Sequence, residues 1–286
     1  MGVVVAVIAQ GTMGAGIGGR LARRGAVVRT LLAGRSRNSA ERARAAGMQP
    51  AADERALLDG ADFFLSILPP GEAEALARRL APVLAALPAK PVYVDCNAVS
   101  PQTAGRVAAI VAPTGARFVD AGIIGGPPRE GYSPAIYASG PDAGATAVLR
   151  DWGLDWRVID GPVGAASGLK MSYAGITKGV TALGSAMMLG AARFGCAEAL
   201  IAELSASQPA LFKYLSAGIP RMYDKAYRWI AEMEEISNFL DANPPSRDIY
   251  AAIARLYEFL ANPEAGTPPG PDNAIQTLDR VLGRGG

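Results

Sequence analysis

Apolar runs of strand length alternate with longer amphipathic segments through the first half of the chain. A continuous apolar run such as 3–9 is typical of a parallel strand that is covered on both faces. Six further strands are predicted at 27–32, 61–67, 91–95, 117–120, 135–138 and 157–159. Helices are predicted between them at 15–24, 39–46, 72–87 and 142–152, and Ser100-Pro101 is typical of a helix start. The alternation predicts an α/β domain with a doubly wound, mostly parallel sheet.

Strand patterns end near residue 161, and only helices are predicted beyond it. The stretch 164–195 carries small and apolar residues on every side, which predicts a buried helix roughly 40 Å long. Further helices are predicted at 197–205, 209–215, 225–240, 247–260 and 272–282, with a loop at 262–271. We therefore expect an α/β domain at 1–162 and an all-α domain at 163–286, joined by the long helix.

Composition excludes several other classes of protein. Half of the residues are hydrophobic, 19% are charged and the net charge is +2, so neither a nucleic-acid partner nor an anionic membrane is favoured. The charge-free segment 179–192 is shorter than the ~20 apolar residues of a membrane span, and the start of the chain lacks the pattern of a signal peptide. Cys96 and Cys196 have no metal-ligand spacing, so we expect reduced thiols in a cytoplasmic protein.

The chain contains no histidine. This excludes every catalytic triad, general base or metal site that depends on an imidazole. Proton transfer, if the protein is an enzyme, is left to lysine, tyrosine, aspartate, glutamate or cysteine.

A glycine-rich turn separates the first predicted strand from the first predicted helix. It contains Gly11, Thr12, Met13 and Gly14, in the pattern Ala9-x-Gly11-x-x-Gly14. A strand, a glycine turn and a helix in this order are typical of a dinucleotide site, in which the pyrophosphate lies at the helix N-terminus. The alternative interpretation is an ordinary tight turn in an α/β fold.

The end of the second predicted strand indicates which dinucleotide would bind. NAD sites usually place a carboxylate there for the ribose hydroxyl, but this chain has Arg35, Ser36 and Arg37. Two guanidinium groups and a hydroxyl suit a 2′-phosphate, which predicts NADP(H) as the cofactor. The alternative is a pair of solvated surface arginines.

Two other predicted strands end beside the expected cofactor crevice. Leu68 and Pro69 follow one of them, and Asn97 follows the other. Ligands of such sheets bind beyond the carboxyl ends of the strands, so we expect these three residues to contact the cofactor.

A line of polar residues runs along the long predicted helix. Lys170, Tyr173, Thr177, Thr181 and Ser185 follow one another at spacings of three or four. No carboxylate lies one turn from Lys170 on either side, and a lysine without a partner in apolar surroundings is suited to proton transfer. The alternative is a lysine that extends to solvent from the end of a helix.

Three motifs in order carry a family resemblance. They are Gly-Thr-Met-Gly at 11–14, Asp-Ala-Gly-Ile-Ile-Gly-Gly at 120–126 and Gly-Ala-Ala-Ser-Gly-Leu-Lys at 164–170. With them the chain resembles the β-hydroxyacid dehydrogenase superfamily, which includes 6-phosphogluconate and 3-hydroxyisobutyrate dehydrogenases. The segment 221–236 is similar to the uncharacterised helical domain of one branch of dehydrogenases.

The resemblance implies a fold, a reaction and a set of roles. It implies a Rossmann domain, a long interdomain helix, a helical domain that forms a homodimer, and hydride transfer between NAD(P) and a secondary alcohol or ketone. Lys170 would be the general acid/base, and Gly125 and Gly126 would offer backbone N–H groups to the substrate. Gly11, Met13 and Gly14 would lie against the pyrophosphate.

Departures from the family pattern bear on the substrate. Ile124 stands where the family usually has serine, and Ala174 where it usually has asparagine. We therefore expect a substrate less polar than 6-phosphogluconate, because an apolar side chain cannot pair with a buried carboxylate. Tyr173 either donates to a substrate oxygen or only packs.

The second domain offers few chemical signals. Lys225, Tyr227 and Trp229 are candidates for the mouth of a substrate pocket, although an aromatic stripe on a helix is also typical of core. Two other functions stay open. Imine reductases share the architecture but typically lack the lysine that this chain keeps at 170, and the protein could bind NADPH without turnover.

Overall fold

The structure is a computed structural model that describes residues 2–261 and 274–282. The chain divides into two compact units, Met1–Met171 and Ser172–Gly286. The division falls inside the long helix, later in the chain than the expected boundary at 162/163. The start of this helix lies close to the sheet, since a Cβ atom on Gly122 would lie 3.0 Å from Cβ of Lys170.

The first unit has eight strands and five α-helices among its described residues. The strands are β1 (Val4–Ile8), β2 (Val27–Leu31), β3 (Gln49–Ala51), β4 (Phe63–Ser66), β5 (Val92–Asp95), β6 (Phe118–Ile124), β7 (Ala135–Ser139) and β8 (Asp155–Val158). The helices are α1 (Thr12–Arg23), α2 (Arg37–Ala45), α3 (Glu54–Leu58), α4 (Ala73–Ala86) and α5 (Pro101–Val111). Short 3-10 segments lie at Pro70–Glu72, Ala112–Thr114 and Ala143–Arg150.

All eight strands form one sheet, in the order β3-β2-β1-β4-β5-β6-β7-β8. Every neighbouring pair is parallel except β6 and β7. The predicted doubly wound, mostly parallel sheet is confirmed. Successive strands are added on one side of β1 up to β3 and on its other side from β4 onward. Ligands of such folds bind at this switch point between β1 and β4.

The apolar strand β1 contributes side chains to the core layers on both faces of the sheet. Val5 and Val7 pack into the layer on one side of the sheet, and Ala6 and Ile8 pack into the layer on the other. All four residues are fully buried. An unbroken apolar run is what a strand covered on both faces requires, since successive side chains point to opposite faces.

Four elements of the first unit differ from the sequence prediction. β3 and α3 were not predicted, because each is only a few residues long and Pro50 weakens the strand signal. The segment at 143–150 was predicted as part of an α-helix but is a 3-10 helix. β6 continues to Ile124, so the motif at 120–126 begins inside a strand and ends beyond it.

The second unit is helical in its described part, as predicted. The long helix α6 (Ala165–Arg193) enters it and is followed by α7 (Ala197–Ser207), α8 (Pro209–Met222), α9 (Ala226–Phe239), α10 (Pro244–Ala261) and α11 (Ala274–Val281). α8 was predicted to end at 215 but continues through Pro220, because Ile219 and Met222 are fully buried. The predicted loop at 262–271 lies outside the described residues.

Helix α6 was predicted to be buried on every side, and this is wrong for one face. Ile176, Leu183 and Met187 are 67%, 57% and 65% exposed, respectively. They recur at the period of a helix and form an apolar stripe along the part of α6 that belongs to the second unit. None of the helices that the structure describes is both long and apolar enough to cross a membrane.

Candidate active site

The glycine turn leaves the N-terminus of α1 open. Gly11 precedes the helix, no side chain caps it, and a Cβ atom placed on Gly11 would meet no atom within 4 Å. Gly14 is needed for packing instead, because a Cβ atom there would collide with the carbonyl oxygen of Ala9. The N–H groups of the first helical turn, at Thr12 and Met13, have no acceptor within the helix. An uncapped helix N-terminus with open space before it fits a pyrophosphate group.

The residues predicted for the 2′-phosphate lie at the start of α2. Ser36 caps this helix by accepting a hydrogen bond from the Ser39 N–H at 3.3 Å. Arg37 is exposed and pairs with Glu41 at 2.9 Å, and Arg35 is exposed one residue before the cap.

Arg42 lies one turn after Ser39 and was not predicted as part of the site. Its Nε donates to the carbonyl oxygen of Gln10 at 3.1 Å, and its Nη2 donates to the Ser39 hydroxyl at 3.2 Å. Arg42 thereby ties α2 to the glycine turn. The signal was a spacing of three from Ser36 to Ser39 to Arg42, which places all three on one face of the helix start.

Asn97 joins the ends of β4 and β5. Its Oδ1 accepts from the Leu68 N–H at 2.5 Å, and its Nδ2 donates to the Ser66 hydroxyl at 2.9 Å. The side chain of Asn97 is only 2% exposed, so in this structure it supports the loop at Leu68 and Pro69 and has no free polar atom for a ligand. The structure brings Leu68 and Asn97 together and gives Asn97 a supporting position, and the contact of Leu68, Pro69 and Asn97 with a cofactor stays a prediction.

A buried polar row crosses four neighbouring strands, and the sequence did not predict it. Ser66, Asp95, Asp120 and Ser139 are register partners on β4, β5, β6 and β7, and each is at most 1% exposed. Burial raises the pKa of Asp95 to about 7; hydrogen bonds from Asn97 oppose this, and the charge of Asp120 adds to it. Ser66 and Asp95 are the last residues of β4 and β5, so this part of the row lies at the carboxyl ends of these two strands.

Asp120 holds the first turn of α6. Its Oδ2 accepts from the N–H groups of Gly164 and Ser167 at 3.0 and 2.9 Å, and its Oδ1 accepts from the Ser167 hydroxyl at 2.6 Å. Ser139 donates to the same carboxylate at 3.2 Å and accepts from the Ala166 N–H at 2.9 Å. Burial raises the pKa of Asp120, while these four donors favour its ionised form, as does its place at a helix N-terminus.

Lys170 follows this anchored turn. It is half-buried, and its Cβ lies where a side chain on Gly122 would collide with it. Within the described part of the chain its Nζ has neither a hydrogen bond nor an ion pair. The Cβ end of the lysine is therefore held against the sheet, whereas its Nζ has no hydrogen-bond or ion-pair partner among the described residues. Tyr173, one turn further along α6, is 52% exposed.

Of the paired glycines after β6, one already donates its N–H group to another residue of the protein. Gly125 has φ +129, a conformation that favours glycine, and the Gly126 N–H donates to the Tyr132 hydroxyl at 3.2 Å. The expectation that both N–H groups are open to a substrate is corrected for Gly126, because Tyr132 takes its N–H. Ile124, the last residue of β6, is half-buried beside them.

Lys225 belongs to the second unit, where it is exposed and lines a cavity. Trp229 also lines it but is held in place, with Nζ of Lys178 at 5.0 Å from its ring centre and the ring of Tyr257 at 5.2 Å. Tyr227 is 63% exposed and is not core.

Comparison with known proteins agrees with a dinucleotide site in the first unit. Residues 4–150 match the NAD binding domain of 6-phosphogluconate dehydrogenase, and residues 191–260 match a domain of unknown function, DUF1932. An uncharacterized 28.5 kDa protein in the 7S RNA 5′ region of Methanothermus fervidus is 30% identical over 156 residues, which make up 54% of this chain and 58% of that protein.

Two solved structures share the fold over nearly the whole chain. The conserved protein MTH1747, of unknown function and described as similar to 3-hydroxyacid dehydrogenases, is 29% identical with a TM-score of 0.71, covering 91% of this chain and 97% of that one. The 3-hydroxyisobutyrate dehydrogenase of Mycobacterium tuberculosis, with L-serine, has a TM-score of 0.74 at 19% identity and covers 99% of both chains. The match to the NAD binding domain spans just over half of the chain, and the chain therefore belongs to the β-hydroxyacid dehydrogenase superfamily, with a nicotinamide-cofactor-binding first half and a helical DUF1932 second half.

Proposed function

We propose that the protein is an NADP-dependent oxidoreductase that interconverts a secondary alcohol and a ketone, with Lys170 as general acid/base. The cofactor, when bound, supplies or accepts the hydride. The observation that carries the proposal is Lys170 itself, which is anchored through the Asp120 cap and the close contact at Gly122 while its ammonium group stays unpaired among the described residues.

Lys170 suits the proton step better than the other groups of the first unit. An ammonium can donate a proton to the ketone oxygen and also stabilise the charge that develops there. The carboxylate of Asp120 already accepts four hydrogen bonds, and burial raises the pKa of the Cys96 thiol well above its usual range. With no histidine in the chain, Tyr173 is the main alternative donor.

Replacement of the lysine tests the assignment. Lys170→Met should lower turnover by about 10²–10⁴, the usual contribution of a general acid, and leave NADPH affinity nearly unchanged. Tyr173→Phe should cost less. Retention of most activity in Lys170→Met would transfer the role to Tyr173.

A substrate panel tests the reaction class. The apolar Ile124 and Ala174 favour hydroxyacids less polar than 6-phosphogluconate, so such alcohols and their ketones form the first arm. Imines form the second arm. Turnover of imines alone would make the protein an imine reductase, and NADPH binding without turnover in either arm would make it a non-catalytic binding protein.

The preference for NADP(H) is supported by the cations around the start of α2. Arg35 and Arg37 are exposed there, and Arg42 connects the same helix to the glycine turn. Fluorescence titration should give tighter binding of NADPH than of NADH, and the Arg35→Ala, Arg37→Ala double variant should lose at least about tenfold in NADPH affinity. Arg44→Ala, an exposed arginine of the same helix, is the matched control. Equal affinity for the two cofactors would contradict the preference.

The apolar stripe of α6 supports a homodimer built by the helical unit. Ile176, Leu183 and Met187 are exposed at helical spacing, and a contiguous exposed apolar surface is typical of an association site. A two-fold interface through this face would cover it. Light scattering should show twice the 29.5 kDa chain mass, and Leu183→Glu with Met187→Glu should give the monomer. A wild-type monomer at micromolar concentration would refute the dimer.

A further inference from the structure

The first unit contains an open cavity of about 830 Å³ between two of its helices. Its wall comes from α4, α5 and the 3-10 segment Ala112–Thr114. None of the lining residues belongs to the glycine turn, to the start of α2 or to α6. The volume lies within the range of small-molecule sites, and the proposed hydride transfer leaves this cavity without a role.

The wall of the cavity is largely apolar. Its apolar residues are Ala81, Pro82, Ala85, Ala109, Ile110 and Pro113. Ala85 on α4 and Ala109 on α5 are exposed to solvent, so both helices present apolar surface to the cavity. Thr114, the remaining uncharged residue, donates its hydroxyl hydrogen to the Val111 carbonyl at 2.7 Å. A concave surface of this kind suits a hydrocarbon group of a ligand.

Two arginines of the wall share one carboxylate. Nε of Arg106 on α5 lies 2.7 Å from Oε1 of Glu74, and Nη2 of Arg78 on α4 lies 3.5 Å from Oε2 of the same residue. The hydrogen bond from Arg106 holds the pKa of Glu74 below its usual value, so this carboxylate is ionised at neutral pH. The three side chains together carry one positive charge in excess.

Both guanidinium groups keep N–H donors for a ligand. Their side chains are more than half exposed, and Glu74 is the only partner of the Arg78 side chain within the described part of the chain. Arg106 also donates from Nη2 to the Thr103 hydroxyl at 2.9 Å, and its Nη1 has no acceptor among the described residues. A guanidinium has five N–H donors, so this pair can bind a second anion beside Glu74.

The dimensions and the charge of the cavity favour a small ligand over a macromolecule. Nine residues line the cavity, whereas a stable protein interface engages about 20–30 residues on each side. A single excess positive charge suits one anionic group, because nucleic acids and anionic membranes are bound by clusters of lysine and arginine. The ligand that fits both observations has one anionic group and a hydrocarbon part.

We propose that the cavity between α4 and α5 binds a small amphipathic carboxylate, such as a medium-chain fatty acid. The carboxylate would accept charge-assisted hydrogen bonds from Arg78 and Arg106. The hydrocarbon chain would lie along the apolar wall, where its removal from water favours binding. This site shares no residue with the proposed hydride transfer, so either proposal can fail without the other.

Calorimetric titration of the full chain with octanoate tests the site. Acetate is the probe for the anionic group alone, and 1-octanol is the probe for the hydrocarbon chain without the charge. We expect saturable binding of one octanoate per chain, and binding of each of the other probes that is at least about tenfold weaker. No saturable binding of octanoate up to about 10 mM, or equal binding of octanoate and 1-octanol, would overturn the proposal.

Two double variants with the same change of charge separate this site from general attraction. Arg78→Gln with Arg106→Gln should weaken octanoate binding at least about tenfold. Arg55→Gln with Arg79→Gln removes two exposed cations that do not line the cavity, and should leave the binding unchanged. Equal losses in the two pairs, or no loss in the first pair, would refute the site. Circular dichroism shows whether each variant is folded.

A further pair of variants tests the apolar wall. Ala109→Glu places a charged side chain in the cavity and should abolish octanoate binding. Ala75→Glu is the matched control, because Ala75 is exposed on α4 but does not line the cavity. Wild-type affinity in Ala109→Glu would place bound octanoate elsewhere and would refute the site.

Titration with NADPH present separates this site from the proposed active site. Octanoate has neither a hydroxyl group nor a ketone, so its binding can be measured without turnover. We expect the same octanoate affinity with and without saturating NADPH, and the same affinity in Lys170→Met as in the wild type. Loss of octanoate binding in either experiment would mean that octanoate occupies the proposed active site, and would overturn the proposal.

Discussion

The cap that Asp120 provides to α6 gives a stability prediction of definite size. Asp120→Ala removes the acceptor of four hydrogen bonds, two from backbone N–H groups at Gly164 and Ser167 and two from the hydroxyls of Ser139 and Ser167. The donors stay where they are, because Ser139 and Ser167 are at most 1% exposed. Water cannot replace the carboxylate without entering this buried row.

The magnitude follows from the donors that remain. A buried donor left without its acceptor costs about 1–3 kcal/mol, and the four donors share one small region, so their costs do not add fully. Removal of a carboxylate whose pKa burial raises also recovers part of its desolvation cost. We expect a net loss of about 3–5 kcal/mol in the free energy of unfolding of the first unit.

Two further variants fix the interpretation. Asp120→Asn can keep its amide oxygen where Oδ2 accepts from the N–H groups of Gly164 and Ser167 and turn its N–H donors toward the Ser167 hydroxyl, which can accept, so it should lose less than the alanine variant. Ser139→Ala removes one donor to Asp120 and one acceptor of the Ala166 N–H, and should cost about 1 kcal/mol. If Asp120→Ala loses the most stability of the three variants, the loss comes from the missing carboxylate acceptor and not from the space that the side chain fills.

Urea unfolding followed by tryptophan fluorescence measures these losses. Trp152 and Trp156 belong to the first unit and Trp229 to the second, so a Trp229→Phe background restricts the signal to the first unit. An alanine variant within about 1 kcal/mol of the background protein, or a larger loss in Ser139→Ala than in Asp120→Ala, would refute the reasoning.

Three other predictions concern buried groups. Burial raises the pKa of Asp95 to about 7 in the folded chain, above that of an unfolded aspartate, so stability is lost as the pH rises from about 4 towards about 7. Asp95→Asn should flatten the dependence of the unfolding free energy on pH in that window. Gly14→Ala should lower the free energy of unfolding by about 1–3 kcal/mol, because its Cβ atom collides with Ala9. The same variant should weaken NADPH binding at least about tenfold in a fluorescence titration. Gly11→Ala is the control and should keep wild-type stability, because its Cβ atom meets no other atom. Tyr257→Phe removes a 2.6 Å hydrogen bond from a buried hydroxyl to the carbonyl of Lys178 and should cost about 1 kcal/mol in thermal unfolding.

The sheet was predictable because its central strands are buried on both faces. In β1 every residue is apolar, so the strand is visible without any partner, and the same holds for Phe63–Ser66 up to its final serine. The edge strand Gln49–Ala51 is covered less and contains proline, so its residues carry no strand pattern of their own. This strand forms through its pairing with β2, which its own residues do not indicate.

The sequence proposes individual residues for the candidate site but not their arrangement. Gly11 and Lys170 could be proposed because each lies in a local motif. The buried row could not, since Asp95 and Asp120 become neighbours only through the pairing of β5 with β6. Tyr132 was missed for the same reason, because its contact with Gly126 depends on how the loop between β6 and β7 folds.

The position of Lys170 explains why the sequence motifs bear on the first unit more than on the second. The lysine lies just before the boundary between the units, on the part of α6 that Asp120 and Gly122 hold against the sheet. Its placement is therefore a property of the first unit alone, the same unit that carries the glycine turn. Residues of α6 after the boundary belong to the helical unit, whose cavity has its own charges and hydroxyls. Substitutions in that unit leave the anchor of Lys170 unchanged, so the sequence around Lys170 carries no information about the helical unit.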